Sequence, residues 1–398
     1  MKLLMENWRK FLKEAAGPET TKKIQDAIIQ AGGEPFIVGG AVRDSFIEGT
    51  PESKDIDFIV TGLPLDEIEE VLSPLGSVSQ VGKSFGVVIA NVDGEDFDIA
   101  IPRTGEKKTG PGHADFEITT DPNAPVGADL GRRDFTMNGL AKDAQGNIID
   151  EFGGLEDIKN KVIRAIGNPE DRFREDPLRM LRALQFATRF GFTIEPATAA
   201  AIKKQASSFK TISPERILKE FEKAWTKGNR DTPLFIKLLK DTGVGRVLFG
   251  NDFNPVAVPL SREGKDLTNG NFMAFFLNGG NSAALMPTNE MKTYLQLAKT
   301  AMEDRLQPWE YIKNHRDKLP LIIEVLRSVD RDVAAKLEQA QELPLSPKEL
   351  AIDARYLMGV GIQGPAIGQT QRKILQAIHS GEIQNDVEQI KAFVGKSR

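Results

Sequence analysis

Cysteine is absent from all 398 residues. Disulfides, thiol nucleophiles and cysteine-based zinc sites are therefore excluded, and a reducing cytoplasm is the expected setting. Histidine is almost as scarce. His113, His315 and His379 are the only three and lie far apart, so the clustered metal ligands of an appended phosphohydrolase domain are not encoded. Long apolar runs are also missing, and no stretch approaches the ~20 residues of a membrane span. The opening MKLLMENWRKFLKEA is charged within ten residues and sets Leu4, Trp8 and Leu12 or Phe11 on one face. That pattern predicts an amphipathic helix rather than a signal peptide. Neither sign of charge dominates: the formal net charge is -5, so binding a nucleic acid would require a local basic patch.

What is present describes an ordinary globular chain, 40% hydrophobic and 27% charged, long enough for two or three domains. PFIVGG is an apolar run closed by glycines, a strand followed by a tight turn. VRDSFI resembles a helix start, and DIDFIV alternates with the period of a strand. VVIANV and DFDIAI are two more strands separated by a DGE turn, and GNIIDEF closes the set. From about residue 155 the pattern is helical almost throughout. The polar, Gly- and Pro-rich stretch 251–272 is the expected loop between helical subdomains. Strands first and helices afterwards predict an α+β head with an all-α remainder.

Three stretches carry chemistry. VGGAVRD places Gly39 and Gly40 after a strand at the mouth of a helix, where backbone N–H groups bind anions and Arg43 adds a positive charge. The plainer alternative is an ordinary strand-to-helix turn. In KDIDFIV, Asp55 and Asp57 stand two apart on one strand, so both carboxylates share a face. Such a pair is unfavourable without a cation and suits Mg2+, unless it is only a solvent-facing strand edge. Asp98 offers a third carboxylate from a neighbouring strand, with Asp96 on the same face. REDPLRMLRALQF, residues 174–186, starts a helix: Asp176 can cap it and Pro177 suits its first position. Asp176, Arg179, Arg182 and Gln185 fall three apart and spiral by about 60° per step. The rest of this helix is mostly apolar and should be buried, so its charges must pair with one another or with a ligand.

Taken in order, GGAVRD, DIDF, DIAIPRT, RRDFTMNGL and REDPLRMLRALQF resemble the class II tRNA nucleotidyltransferases, the CCA-adding enzymes, and their relatives the bacterial poly(A) polymerases. The resemblance runs from about Pro35 to Trp225 and returns weakly in ELAIDARYLMGVGIQGPAIGQTQRKIL. It implies a nucleotidyltransferase-type mixed-sheet head followed by an all-α neck, body and tail. The expected divisions are an N-terminal helix (1–32), the catalytic head (33–152), a base-recognising neck (153–210), a body (211–270) and a tRNA-binding tail (271–398).

The resemblance also implies roles. Asp55 and Asp57 would bind two Mg2+ ions, with Asp98 at the third acidic position. Gly39, Gly40 and Arg43 would hold the triphosphate. Arg132, Arg133, Asp134 and Asn138 would hold ribose and phosphates. Asp176 and Arg179 would read the edge of the incoming base, and Arg182 would continue towards the phosphates. A carboxylate only accepts and a guanidinium only donates. That pair suits the amino group and acceptors shared by cytosine and adenine, while guanine and uracil would leave a desolvated group unmatched. The family usually has arginine where this chain has Gln185.

The implied activity is addition of CCA to the 3' end of tRNA from CTP and ATP. Poly(A) addition, partial A-only addition, and a non-catalytic nucleotide-sensing or RNA-binding protein of the same fold are the alternatives. Retention of Asp55 and Asp57 favours an enzyme. RTGEKKTGPGHADFE (103–117) resembles the flexible loop with which CCA-adding enzymes switch from C to A, although a plain solvated loop would look the same. The C-terminal helices would grip the acceptor stem through its phosphates and A-form shape. There GIQGPAIG (361–368) either joins two helices against RNA or is a simple helix–helix turn. No membrane and no obligate protein partner are implied.

Overall fold

The computed structural model describes residues 18–50, 55–82, 86–108, 116–303 and 308–396. Within the expected N-terminal division 1–32 a helix runs over Pro18–Gln30, and the amphipathic helix expected from MKLLMENWRKFLKEA lies outside the described residues. The described chain divides into two compact units, one running to Phe253 and including Gly280–Met286, the other comprising Asn254–Gly279 and the residues from Pro287 onward.

The first unit is built on a seven-stranded sheet of β1 (Glu34–Val38), β2 (Ile56–Thr61), β3 (Gly76–Gly82), β4 (Val87–Val92), β5 (Glu95–Ala100), β8 (Ala141–Lys142) and β9 (Ile148–Ile149). Their order is β3-β4-β5-β2-β1-β8-β9. Only β2 and β5 run parallel, and their register sets Asp57 directly beside Asp98. Alternation along β2 sends Asp57 and Ile59 to one face, where Ile59 joins Val38, Val126, Leu130 and Ala141 in a shared core. The helices Pro18–Gln30 and Leu65–Leu72 pack against each other, the former on β1 and the latter on β3 and β4. The five strands read from sequence are all present, while β3 and the two-residue β8 are additions. β3 is a run of Gly, Ser, Val and Gln whose pairing with β4 sets its conformation where propensity is weak.

The DGE turn joins β4 to β5 through Asp93 and Gly94, at φ 54° and 85°, the positive values a tight hairpin needs. Its Asp93 Oδ2 accepts bonds from Thr20 Oγ1 (2.9 Å) and Lys23 Nζ (2.8 Å), tying the hairpin to the first helix. The expected loop at 103–117 begins and ends as paired strands, β6 (Arg103–Lys108) and β7 (Phe116–Thr120), and its tip with His113 lies outside the described residues.

Beyond the sheet come the helices Gly154–Lys159, Pro169–Glu175, Leu178–Phe190, Pro196–Gln205, Pro214–Thr226, Thr232–Asp241 and Val244–Phe249. Proline at the first or second position sets several of these starts, because its missing N–H is not needed there. One short parallel ribbon, β10 (Val162–Ile163) with β11 (Thr193–Ile194), interrupts the helices. Phe221 anchors the aromatic core, with ring centroids 5.5 Å from Trp225, 5.0 Å from Phe235 and 5.5 Å from Phe249.

Gly154 marks a close approach to the segment that shapes the site. A Cβ there would stand 2.2 Å from the Thr136 carbonyl oxygen, and backbone on both sides cannot yield cheaply. Gly154→Ala should therefore destabilise the protein by about 2–3 kcal/mol, read as a lower urea midpoint at unchanged slope.

Helices are the only regular secondary structure among the described residues of the second unit. The loop expected over 251–272 ends at 263, because Gly264–Phe276 is a helix. Its glycines and asparagines are poor helix formers, yet Phe272, Met273, Phe275 and Phe276 are buried, and that packing overrides propensity. A separate cluster of Leu357, Ile374, Ile378, Ile390 and Val394 holds the last helices together. GIQGPAIG turns between the helices Ala354–Gly359 and Pro365–His379. No helix among the described residues is long and apolar enough to cross a membrane.

Candidate active site

A cavity of about 620 Å³ opens in the first unit, lined by the Asp57 and Asp98 strands, the Gly39–Gly40 turn, the 129–138 segment and the helices Leu178–Phe190 and Pro214–Thr226. Gly39, Gly40, Arg43, Asp57, Asp98, Arg132, Arg133, Asp134, Asn138, Asp176, Arg179 and Arg182 all line it. Asp55 does not; it is exposed, one residue before β2 begins, yet close enough to act on Asp57 electrostatically. Asp96 is held elsewhere by Asn91 Nδ2 at 2.7 Å, so Asp98 is the carboxylate that faces Asp57.

Asp57 is pushed up to about 6, by burial first and by the adjacent charge of Asp98, with Arg133 opposing and Asp55 adding. Gly39 explains how the backbone comes so near. Its φ of 75° and a would-be Cβ only 3.1 Å from Asp57 Oδ2 leave room for glycine alone. Gly39→Ala would add about 1–2 kcal/mol of backbone strain and press on Asp57. For the nucleotide transfer that the sequence resemblance implies, the expected result is a lower kcat with RNA binding retained, measured by single-turnover kinetics and a gel-shift titration.

The arginines are already engaged. Arg43 is buried, donates from Nε to Asp44 Oδ1 and from Nη1 to Asn138 Oδ1, each at 2.7 Å, and lies 5.1 and 5.0 Å from the Phe186 and Phe190 ring centres. Arg133 donates to Asp129 Oδ2 from Nε (3.3 Å) and Nη2 (3.2 Å) and to the Asn138 carbonyl (3.4 Å). Arg182 Nε donates to Asp134 Oδ2 at 2.7 Å, so it faces a carboxylate first. Asp134 Oδ1 also accepts from the Phe135 N–H and Asn138 Nδ2. Burial acts to raise Asp134, but Arg182, Asn138 and Arg179 together hold it below the usual carboxylate range.

The helix charges that lacked partners in the sequence are likewise paired. Asp176 Oδ1 accepts the Leu178 N–H at 3.1 Å, and Oδ2 accepts Arg216 Nη2 at 2.7 Å. Asp176 thus caps the helix from one residue before Pro177, which holds the N-cap position and not the expected first helical one. Arg179 donates to Glu175 Oε2 (2.7 Å) and to the Arg132 carbonyl (3.0 Å). Gln185 is 1% exposed and its Nε2 has no hydrogen-bond partner; it is not among the residues lining the cavity.

Sequence reading missed Asp129, Arg216, Lys219, Glu220 and Lys223, all of which line the cavity. A signal existed. In PERILKEFEKAWT the charged Arg216 and Glu220 interrupt the face that also carries Ile217, Phe221 and Ala224, and charge on an otherwise apolar face is a mark of pairing or ligand contact.

The neighbouring oxygens of Asp57 and Asp98 are hard donors of the kind a divalent cation accepts, with water and phosphate oxygens supplying the remainder. Among the described residues no group of three or more acidic, His or Cys side chains converges as a ready-made cage.

A poly A polymerase head domain model matches residues 35–164, and a model described as a probable RNA and SrmB-binding site of polymerase A matches 191–252. The CCA-adding enzyme of Levilactobacillus brevis is 31% identical over 403 residues, covering 94% of this chain and 97% of that one. The chain belongs to the CCA-adding enzyme family. The family member from Bacillus subtilis is 39% identical over 198 residues, covering 49% of this chain and 47% of its own. Among solved structures of the family, the Bacillus stearothermophilus CCA-adding enzyme in complex with CTP aligns with a TM-score of 0.61 at 26% identity, over 95% of this chain and 97% of that one. The Thermotoga maritima CCA-adding enzyme complexed with tRNA-CCA shares the fold, with a TM-score of 0.68 at 20% identity over 98% of both chains.

Proposed function

We propose that this protein adds CCA to the 3' end of tRNA without a nucleic-acid template, using CTP and then ATP. The observation that carries this reading is one cavity with the Asp57–Asp98 pair on one wall and the Asp176–Arg179 turn on another. The 3'-hydroxyl oxygen attacks the α-phosphate, the new O–P bond forms, and pyrophosphate leaves. Asp55 and Asp57, with Asp98, would hold a divalent cation, Mg2+ by the all-oxygen donor set. Bound there, it would acidify the attacking hydroxyl and stabilise the departing pyrophosphate.

The chain's own residues bind and orient. Gly39 and Gly40 present backbone to the phosphates, and Arg43, Arg132 and Arg133 supply positive charge beside them. Asp134 and Asn138 fix Arg182 and Arg43 and border the ribose. Asp176 and Arg179 select the base. The helical residues 271–398 hold the acceptor stem through phosphate contacts, which carry affinity without reading sequence. A cytoplasmic setting belongs to the same reading.

The deciding experiment incubates the protein with tRNA that ends before its CCA and with each labelled nucleotide triphosphate. Addition of C, C and A, then arrest, is expected. A ladder of A residues would make it a poly(A) polymerase, and no addition with intact nucleotide binding would make it a sensor.

A further inference from the structure

Both oxygens of the Asp176 carboxylate are occupied, Oδ1 by the Leu178 N–H and Oδ2 by Arg216. A base read by Asp176 must displace or share the Arg216 contact. Arg216 and Asp176 side chains are only 10% and 15% exposed, so a guanidinium turned away from Asp176 is stabilised by a second carboxylate close by.

One stands on the same helix. Glu220 follows Arg216 by four residues, the spacing that brings two side chains together on a helix face. Glu220 is 3% exposed and lines the cavity. Its Oε1 accepts from Lys223 Nζ at 2.8 Å and lies 3.8 Å from Arg182 Nη1. Its Oε2 is buried with no hydrogen-bond partner, whereas buried carboxylate oxygens are ordinarily paired. That oxygen has essentially no exposed surface, so a neighbouring side chain reaches it more readily than a ligand does.

We propose that Glu220 is a positioning residue: it takes the Arg216 guanidinium when Asp176 turns to the base. The exchange keeps Arg216 paired in both states. It also frees Asp176 Oδ2 for the amino group common to cytosine and adenine. The inference rests on the base-selecting role given to Asp176 above.

The test compares E220A, R216Q and the double variant with the wild type on tRNA lacking CCA, measuring KM and kcat for CTP, ATP and a 2-pyrimidinone riboside triphosphate that lacks the amino group. In E220A, Arg216 stays on Asp176, so KM for CTP and ATP should rise about tenfold with kcat changing far less. The analogue has no amino group to be accepted, and its KM should hardly move. Adding R216Q to E220A removes the competitor and should restore most of the loss. Should E220A not fold, E220Q keeps the volume, weakens the hold on Arg216, and should show the same pattern at smaller size. Equal losses for CTP and the analogue would overturn the proposal. So would failure of R216Q to rescue while the analogue stays insensitive, since Glu220 would then touch the base itself. If the wild type adds neither C nor A, the CCA-adding reading fails first. Normal wild-type addition with an unchanged KM in E220A removes only this inference.

Discussion

Asp57→Asn should abolish nucleotide transfer and, in EDTA at pH 8, raise the melting temperature. Both effects come from one cause. The carboxylate is raised from an ordinary value of 3.8 to about 6, by burial first and by Asp98 next. A group raised in the folded state favours folding fully below its unfolded pKa, and that contribution is lost as pH rises through the folded one. Between about 3.8 and 6 the advantage therefore fades, and at pH 8 the fold carries a charge that costs up to about 3 kcal/mol relative to the unfolded chain. Asparagine keeps the shape without the charge. Its stabilisation should be largest at pH 8 and vanish near pH 4, followed by thermal denaturation across that range. Activity falls because an amide neither replaces the anionic donor nor balances a divalent cation. Retained transfer in Asp57→Asn would refute the assignment of the metal-binding wall, and a melting-temperature difference from the wild type that does not change with pH would refute its electrostatic strain.

The second large effect is expected at Asp176. Asp176→Ala removes the cap on Leu178 and leaves Arg216 without the partner it holds at 2.7 Å. Breaking a buried pair by removing one member costs about 3–5 kcal/mol, so alanine confounds selectivity with folding. Asp176→Asn is the cleaner probe. Its amide both accepts and donates, so the carbonyl of uracil, which a carboxylate rejects, gains a donor to meet it. Each matched or mismatched polar contact is worth about 1–3 kcal/mol, so the CTP-to-UTP preference should fall by about 5- to 150-fold. Competition between the two nucleotides on one tRNA reads this directly. An unchanged ratio in Asp176→Asn, with the protein folded, would remove base reading from this residue.

These residues also show where sequence was enough. Alternation marked DIDFIV as a strand carrying Asp57, whereas Asp55, expected on the same face, stands one residue before β2 and does not line the cavity. The Asp93–Gly94 turn was legible because few residues other than glycine, asparagine and aspartate accept positive φ. The Asp176 cap and the helix Leu178–Phe190 followed from propensity and capping chemistry. All of these are local: the energy that decides them lies within a few residues. The helix Gly264–Phe276 was not legible, since its composition is that of a loop and only burial of its aromatic residues selects the helix.

The sequence by itself determined the residue types of the site, their order and the local frames that present them. Only the tertiary structure decided who pairs with whom. Asp98 rather than Asp96 faces Asp57 because β2 and β5 pair in a particular register. Arg182 meets Asp134 across 48 positions, and Asp176 meets Arg216 across 40. Coulombic and hydrogen-bond partners depend on distance in space, and burial sets how strongly each charge needs one. Neither quantity is written in the spacing of residues along a chain.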